Sequence, residues 1–172
     1  MEFIVGIIGG SNISKDIYEF THLLGETLAK NGYSILTGGM GGVMEAAGKG
    51  FCSVKNKKGK HLCIIPSDDK KTANKYCEYV IASGFGIGRN ILIIRSADVL
   101  IAIDGGAGTL SEIAYAWQYN KTVLCVNKFN GWAKSLAGKK IDNNKYSQLV
   151  EVANIDEILH YLKVEKKKAL NL

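Results

Sequence analysis

The 172-residue chain contains a single proline, Pro66, and four cysteines that form no Cys-x-x-Cys pair. Without that pair, neither a zinc ribbon nor a thioredoxin-type motif is expected. Cys52, Cys63, Cys77 and Cys125 therefore read as buried, reduced thiols, and no metal site is expected. No apolar run approaches the roughly 18–20 residues that cross a bilayer. The start, Met1-Glu2-Phe3-Ile4-Val5, enters an apolar strand with no basic segment ahead of it. Neither a membrane span nor a signal peptide is expected, which points to the cytoplasm, where thiols stay reduced. Two nucleotide motifs are also missing. The first glycine turn lacks Gly-x-Gly-x-x-Gly spacing, and no Gly-x-x-x-x-Gly-Lys-[Ser/Thr] occurs. NAD redox chemistry and NTP hydrolysis are disfavoured accordingly.

Aromatic residues make up only 9% of the chain, and none interleaves with the lysine clusters at 55–60, 70–75 and 163–168. The net charge of +6 thus reads as solvated surface and a basic C-terminal tail at 163–172, not as a platform for nucleic acid. What remains is ordinary globular composition, 47% hydrophobic and 22% charged, with 20 glycines.

Short runs that are apolar throughout alternate with segments of helical spacing. Residues 3–8, 33–37, 62–65, 77–82, 99–103, 122–126 and 148–152 read as strands. Helices are expected at 17–28, 42–51, 87–96, 110–117 and 156–162, with 127–148 as an irregular, flap-like stretch. Strands without polar alternation suit a parallel sheet covered on both faces. The expected architecture is α/β: one Rossmann-like domain over 1–172, with a doubly wound, mainly parallel sheet flanked by helices.

In such sheets ligands bind at the carboxyl ends of the strands, and here three of those ends carry glycine. Gly9-Gly10-Ser11-Asn12 follows the first strand, Gly38-Gly39-Met40-Gly41-Gly42 the second, and Gly105-Gly106-Ala107-Gly108-Thr109 the fifth. Each opens a helix, so exposed amides and a helix N-terminus favour an anion. Two charged residues stand nearby. Glu112, expected in the first turn of its helix and off the face of Leu110, Ile113, Ala114 and Trp117, is a candidate for accepting ribose hydroxyls or positioning water. Arg89, after Gly84-Phe85-Gly86-Ile87-Gly88, is a candidate phosphate clamp. Arg95 reads as structural.

Gly38-Gly39-Met40-Gly41-Gly42-Val43-Met44-Glu45-Ala46-Ala47 and Gly105-Gly106-Ala107-Gly108-Thr109-Leu110-Ser111-Glu112 resemble the two signatures of the LOG-like Rossmann family. Members are often labelled lysine decarboxylases, although no lysine here has a Schiff-base context. The resemblance runs from residue 3 to about 126. It implies hydrolysis of the N-glycosidic bond of a nucleoside 5′-monophosphate, with no cofactor required. Glu112 and Arg89 would be the catalytic pair, and Gly106, Gly108 and Thr109 would hold the phosphate. Gly10, Ser11, Gly38, Gly39, Gly41, Gly42, Glu45 and Gly105 would complete the nucleotide site. Asp104 replaces the signature proline, and Asn90 replaces the lysine that usually follows the arginine. The chain looks closer still to a sister branch that includes molybdenum cofactor carrier proteins, for which the implied role is non-catalytic binding of a phosphorylated pterin. The alternative ligands are therefore an AMP-like nucleotide or molybdenum cofactor. The resemblance also implies a homo-oligomer, dimer or tetramer, and the apolar helix faces carrying Tyr115 and Trp117 offer a patch for that self-association.

Overall fold

A computed structural model describes residues 2–169. Seven strands, β1 (Ile4–Gly9), β2 (Ser34–Thr37), β3 (His61–Ile65), β4 (Tyr79–Ala82), β5 (Val99–Ile103), β6 (Thr122–Val126) and β7 (Gln148–Val152), form one sheet. Their order is β4-β3-β2-β1-β5-β6-β7, and every pairing is parallel. The chain first walks outward from β1 to β4, then returns to the other side of β1 and walks out to β7. β1 and β5 are therefore neighbours whose following connections diverge, and their carboxyl ends are level, with Gly9 paired to Ile103.

Six helices cover the sheet: α1 (Lys15–Lys30), α2 (Val43–Ser53), α3 (Asn90–Ser96), α4 (Ala107–Gln118), α5 (Trp132–Leu136) and α6 (Ile155–Ala169). The fully buried strands explain the unbroken apolar runs. Val5, Ile7, Ile35, Ile101 and Leu124 face one layer, where Leu24 and Leu28 of α1, Phe51 of α2 and Leu162 of α6 pack. Ile8, Leu36, Leu100, Ala102 and Cys125 face the other, against Ile93 of α3, Ile113 and Trp117 of α4 and Ala133 of α5. Among the described residues, no helix is long and apolar enough to cross a membrane.

Four expectations are corrected. Residues 127–148 are not a flap. They contain α5, and the Trp132 and Ala133 amides donate to the Gly105 and Asp104 carbonyls at 3.0 and 3.1 Å. Trp117 Nε1 also donates to Asp142 Oδ1 at 2.8 Å. Trp117 is thus a core residue, 2% exposed, and drops out of the expected self-association face, whereas Tyr115 is exposed. The basic tail is helical as far as Ala169, because Ile158 and Leu162 anchor α6 to the core, and 170–172 lie outside the described residues.

The fourth correction concerns the cysteines: Cys63 and Cys77 are joined in a disulfide, while Cys52 is half-buried and Cys125 is buried. The β3–β4 connection carries no α-helix. It folds back over the carboxyl end of the sheet and brings the two Cα atoms to 5.8 Å, within bridging range. Replacing Trp117 with alanine is expected to lower the unfolding free energy by about 3–5 kcal/mol in a urea titration. The same change should expose the 139–146 stretch to limited proteolysis.

Candidate functional site

Where β1 and β5 part, a cavity of about 550 Å³ opens at the carboxyl edge of the sheet. That size lies within the roughly 300–1,000 Å³ typical of small-molecule sites. Gly10, Ser11, Gly38, Gly106, Gly108, Thr109, Arg89 and Glu112 all line it. Gly39, Gly41, Gly42, Glu45 and Gly105 do not; most of them shape its walls from behind. Gly42, at φ +64°, caps α2 where a Cβ would lie 2.3 Å from the Gly10 carbonyl oxygen. The Val43 amide donates to that same carbonyl at 2.9 Å, which stitches the first two glycine turns together. Gly105 turns the chain at φ +99° into α4, and Glu45 sits in the first turn of α2. The apolar wall was not legible as such: Ile7, Ile8, Met40, Met44 and Ile87 read as core or loop until the strand order places them together.

Arg89 ends a 3₁₀ turn, Gly86–Arg89, and its side chain runs inward with only 6% exposure. Gly38 makes this possible, since a Cβ there would lie 2.2 Å from Arg89 Nη2. Nη1 donates to Asn90 Oδ1, and Asn90 Nδ2 donates to Ser111 Oγ at 3.2 Å. Asn90 thus braces the guanidinium against α4, a role invisible in sequence. Arg89 Nε has no hydrogen-bond partner. A buried donor without a partner costs about 1–3 kcal/mol or more.

Glu112 lies in the second turn of α4, not the first as expected, and is 7% exposed. Its Oε1 stands 3.7 Å from Arg89 Nη1. Burial pushes its pKa up to about 7, with the Arg89 charge pulling the other way. Burial likewise lowers Arg89 from the usual guanidinium range, and Glu112 counteracts it. The pair therefore couples a permanent cation to a carboxyl that titrates near neutrality. At the head of α4 the first internal bond runs from the Leu110 amide to the Gly106 carbonyl, 3.0 Å. The Ala107, Gly108 and Thr109 amides precede it and have no partner within the helix.

Asp104 adopts φ +56°, a left-handed conformation that proline cannot reach. The departure from the LOG-like signature therefore matches the local turn. Its carboxylate lies beside Gly10 and Gly131 and does not line the cavity.

A family model described as the SLOG cluster4 family matches residues 2–159. The chain belongs to the SLOG cluster4 family. An uncharacterized protein of Archaeoglobus fulgidus is 39% identical over 119 residues, covering 69% of this SLOG cluster4 chain and 76% of the relative. The X-ray structure of TM1055 superposes with a TM-score of 0.86 at 26% identity, covering 94% of this chain and 98% of its own. The molybdenum cofactor binding protein of Rippkaea orientalis superposes at 0.81 with 27% identity, covering 95% and 97%. The SLOG cluster4 assignment agrees with the LOG-like resemblance and with its carrier-protein branch.

The raised Glu112 pKa carries a stability consequence. The folded state holds this proton more tightly than the unfolded chain, so the contribution is complete below 4.5 and is lost as pH rises through about 7. Urea midpoints of wild type should therefore fall relative to Glu112→Gln across that window. Parallel profiles for the two proteins would contradict it.

Proposed function

We propose that this chain binds and carries a phosphorylated heterocyclic cofactor of the molybdenum cofactor class without cleaving it. The observation that carries the reading is the deeply buried Arg89, with an unpartnered Nε, beside a cavity that the head of α4 also lines. A cation and free helix amides together suit a phosphate group. Met40, Met44, Ile7 and Ile87 supply an apolar wall suited to a flat ring system. Likeness to the Rippkaea orientalis cofactor-binding protein supports the same ligand class. In this reading Arg89, Gly106, Gly108 and Thr109 hold the phosphate, while Gly10, Ser11 and Gly38 border the rest of the ligand. Glu112, which holds its proton up to about pH 7, donates to a ligand oxygen in its protonated form and then does not repel the anion.

A second reading rests on the same carboxyl. A group titrating near pH 7 beside a fixed cation suits general acid–base work, as cleavage of a nucleoside 5′-monophosphate would need. Glu112 would then activate water and Arg89 would stabilise the developing charge. Self-association belongs to the proposal as well. Edge strand β4 exposes Tyr79 and Ile81 on one face, and Phe85 and Ile87 are exposed in the segment that follows it, Ile87 at the cavity. An apolar edge of this kind favours pairing with another copy. Sedimentation should show a homo-oligomer, and a monomer would remove that element.

The ligand test is direct. Protein purified from cells that make molybdenum cofactor should carry a phosphorylated pterin, detectable by fluorescence after oxidation and by mass spectrometry. Arg89→Gln should reduce occupancy at least about tenfold, the loss of a charge-assisted contact. Prolonged incubation with AMP should release no free base; release that is abolished by Glu112→Gln would favour the hydrolase instead.

A further inference from the structure

Behind the glycine turn that follows β2 lies a second cluster that the ligand reading does not use. His61 and Cys63 project from the same face of β3, and Cys77 arrives from the β3–β4 connection. His61 Nε2, the two sulfurs and the Thr37 hydroxyl are close neighbours: Nε2 is 3.0 Å from Thr37 Oγ1 and 3.3 Å from Cys63 Sγ. His61 Nδ1 donates to the Tyr76 carbonyl at 2.8 Å, which leaves Nε2 as an acceptor for the Thr37 hydroxyl. Burial lowers the His61 pKa to about 4, so the imidazole is neutral.

Two hydrogen-bond routes join this cluster to the cavity. In the first, the Thr37 hydroxyl accepts from the Gly39 amide at 3.2 Å. In the second, Asn74 grips the turn twice: its amide donates to the Gly39 carbonyl at 2.8 Å and its Nδ2 to the Met40 carbonyl at 2.9 Å. Asn74 is itself tied to the disulfide, because the Cys77 amide donates to the Asn74 carbonyl at 3.2 Å. Gly38 and Met40, in the turn so held, line the cavity, and Gly38 packs on Arg89.

We propose that Cys63 and Cys77 form a redox-active site, a dithiol/disulfide couple whose oxidised state clamps the Gly38–Met40 turn into its ligand-binding shape. The co-reactant is a dithiol, small or protein-borne. Its thiolate attacks the Sγ of Cys77, the half-buried residue of the pair, because Cys63 is fully buried. This forms a mixed disulfide and expels Cys63 as a thiolate, which takes up a proton. The reductant's second thiol then attacks its own bound sulfur, closes its disulfide and releases Cys77 as a thiol. Two electrons and two protons pass from reductant to chain.

Reduction acts on both routes. The new Cys63 S–H competes with the Thr37 hydroxyl for His61 Nε2, which loosens the bond to Gly39. The segment bearing Asn74 loses its covalent tether to β3. The effect on ligand affinity rests on the phosphate-ligand reading; the effect on the turn does not.

The test compares air-oxidised wild type, dithiothreitol-reduced wild type and Cys77→Ser, with a chelator present throughout. Denatured oxidised protein should titrate as two thiols, Cys52 and Cys125, and reduced protein as four. Hydrogen–deuterium exchange across residues 37–44 should quicken in the reduced protein and in the variant. AMP, the calorimetric probe, should bind them about five- to tenfold more weakly than it binds the oxidised protein, the scale of one lost hydrogen bond. Four thiols after air oxidation, identical exchange in the two redox states, or equal AMP affinity in them would each overturn the proposal. If AMP binds neither state while exchange still differs, the AMP-like nucleotide reading of the cavity is what fails, and the coupling between sulfur pair and turn stands. Should Cys77→Ser not fold, chemical reduction of wild type makes the same comparison.

Discussion

The reversal of strand order beside β1 is the constraint from which the site follows. β1 is paired on one side with β2 and on the other with β5, and the connections leaving β1 and β5 cover opposite faces of the sheet. No backbone can fill the gap between two chains that depart in opposite directions, so a crevice is built into the topology. Everything charged or polar in the candidate site is arranged around that gap. The glycine turns bring main chain close to it, α4 aims its amide end at it, and the 3₁₀ turn ahead of α3 delivers Arg89 to it.

The electrostatic character of the crevice comes from burial more than from the number of charges. The chain is strongly basic, yet one arginine and one glutamate dominate the cavity, each almost fully removed from water. In that setting an ion pair at 3.7 Å does not satisfy the guanidinium, whose Nε remains unmatched. The arrangement is poised for an anion more than it is optimised for the empty state, a common trade at binding sites.

Much of the architecture was legible because parallel strands buried on both faces leave an unmistakable pattern. Phe3–Ile8 and Val99–Ile103 admit no polar alternation, and the glycine clusters that follow such runs mark strand ends. Arg89 and Glu112 could be singled out by position and by the LOG-like signatures. The remainder depended on facts that sequence does not encode locally. Cys63 and Cys77 meet only because a helix-free connection doubles back over the sheet. Asp104 stood out only as the replacement of the signature proline, and sequence did not show that its backbone is left-handed and its carboxylate outside the cavity lining. Glu112 took its neutral-range pKa from depth, and helical spacing says nothing about depth. The lysine run at the C-terminus read as a tail beyond the expected 156–162 helix because nothing in 163–169 is buried; α6 continues through it on the anchors Ile158 and Leu162.

The contact between α5 and the β5 turn has an evolutionary corollary. The Trp132 and Ala133 amides hold the Gly105 and Asp104 carbonyls, so the turn that leads into α4 is fixed by a segment that does not line the cavity. Insertions or deletions in that stretch would resize the pocket while leaving every glycine signature intact. Relatives could then diverge in what they hold without any visible change in the residues that hold it.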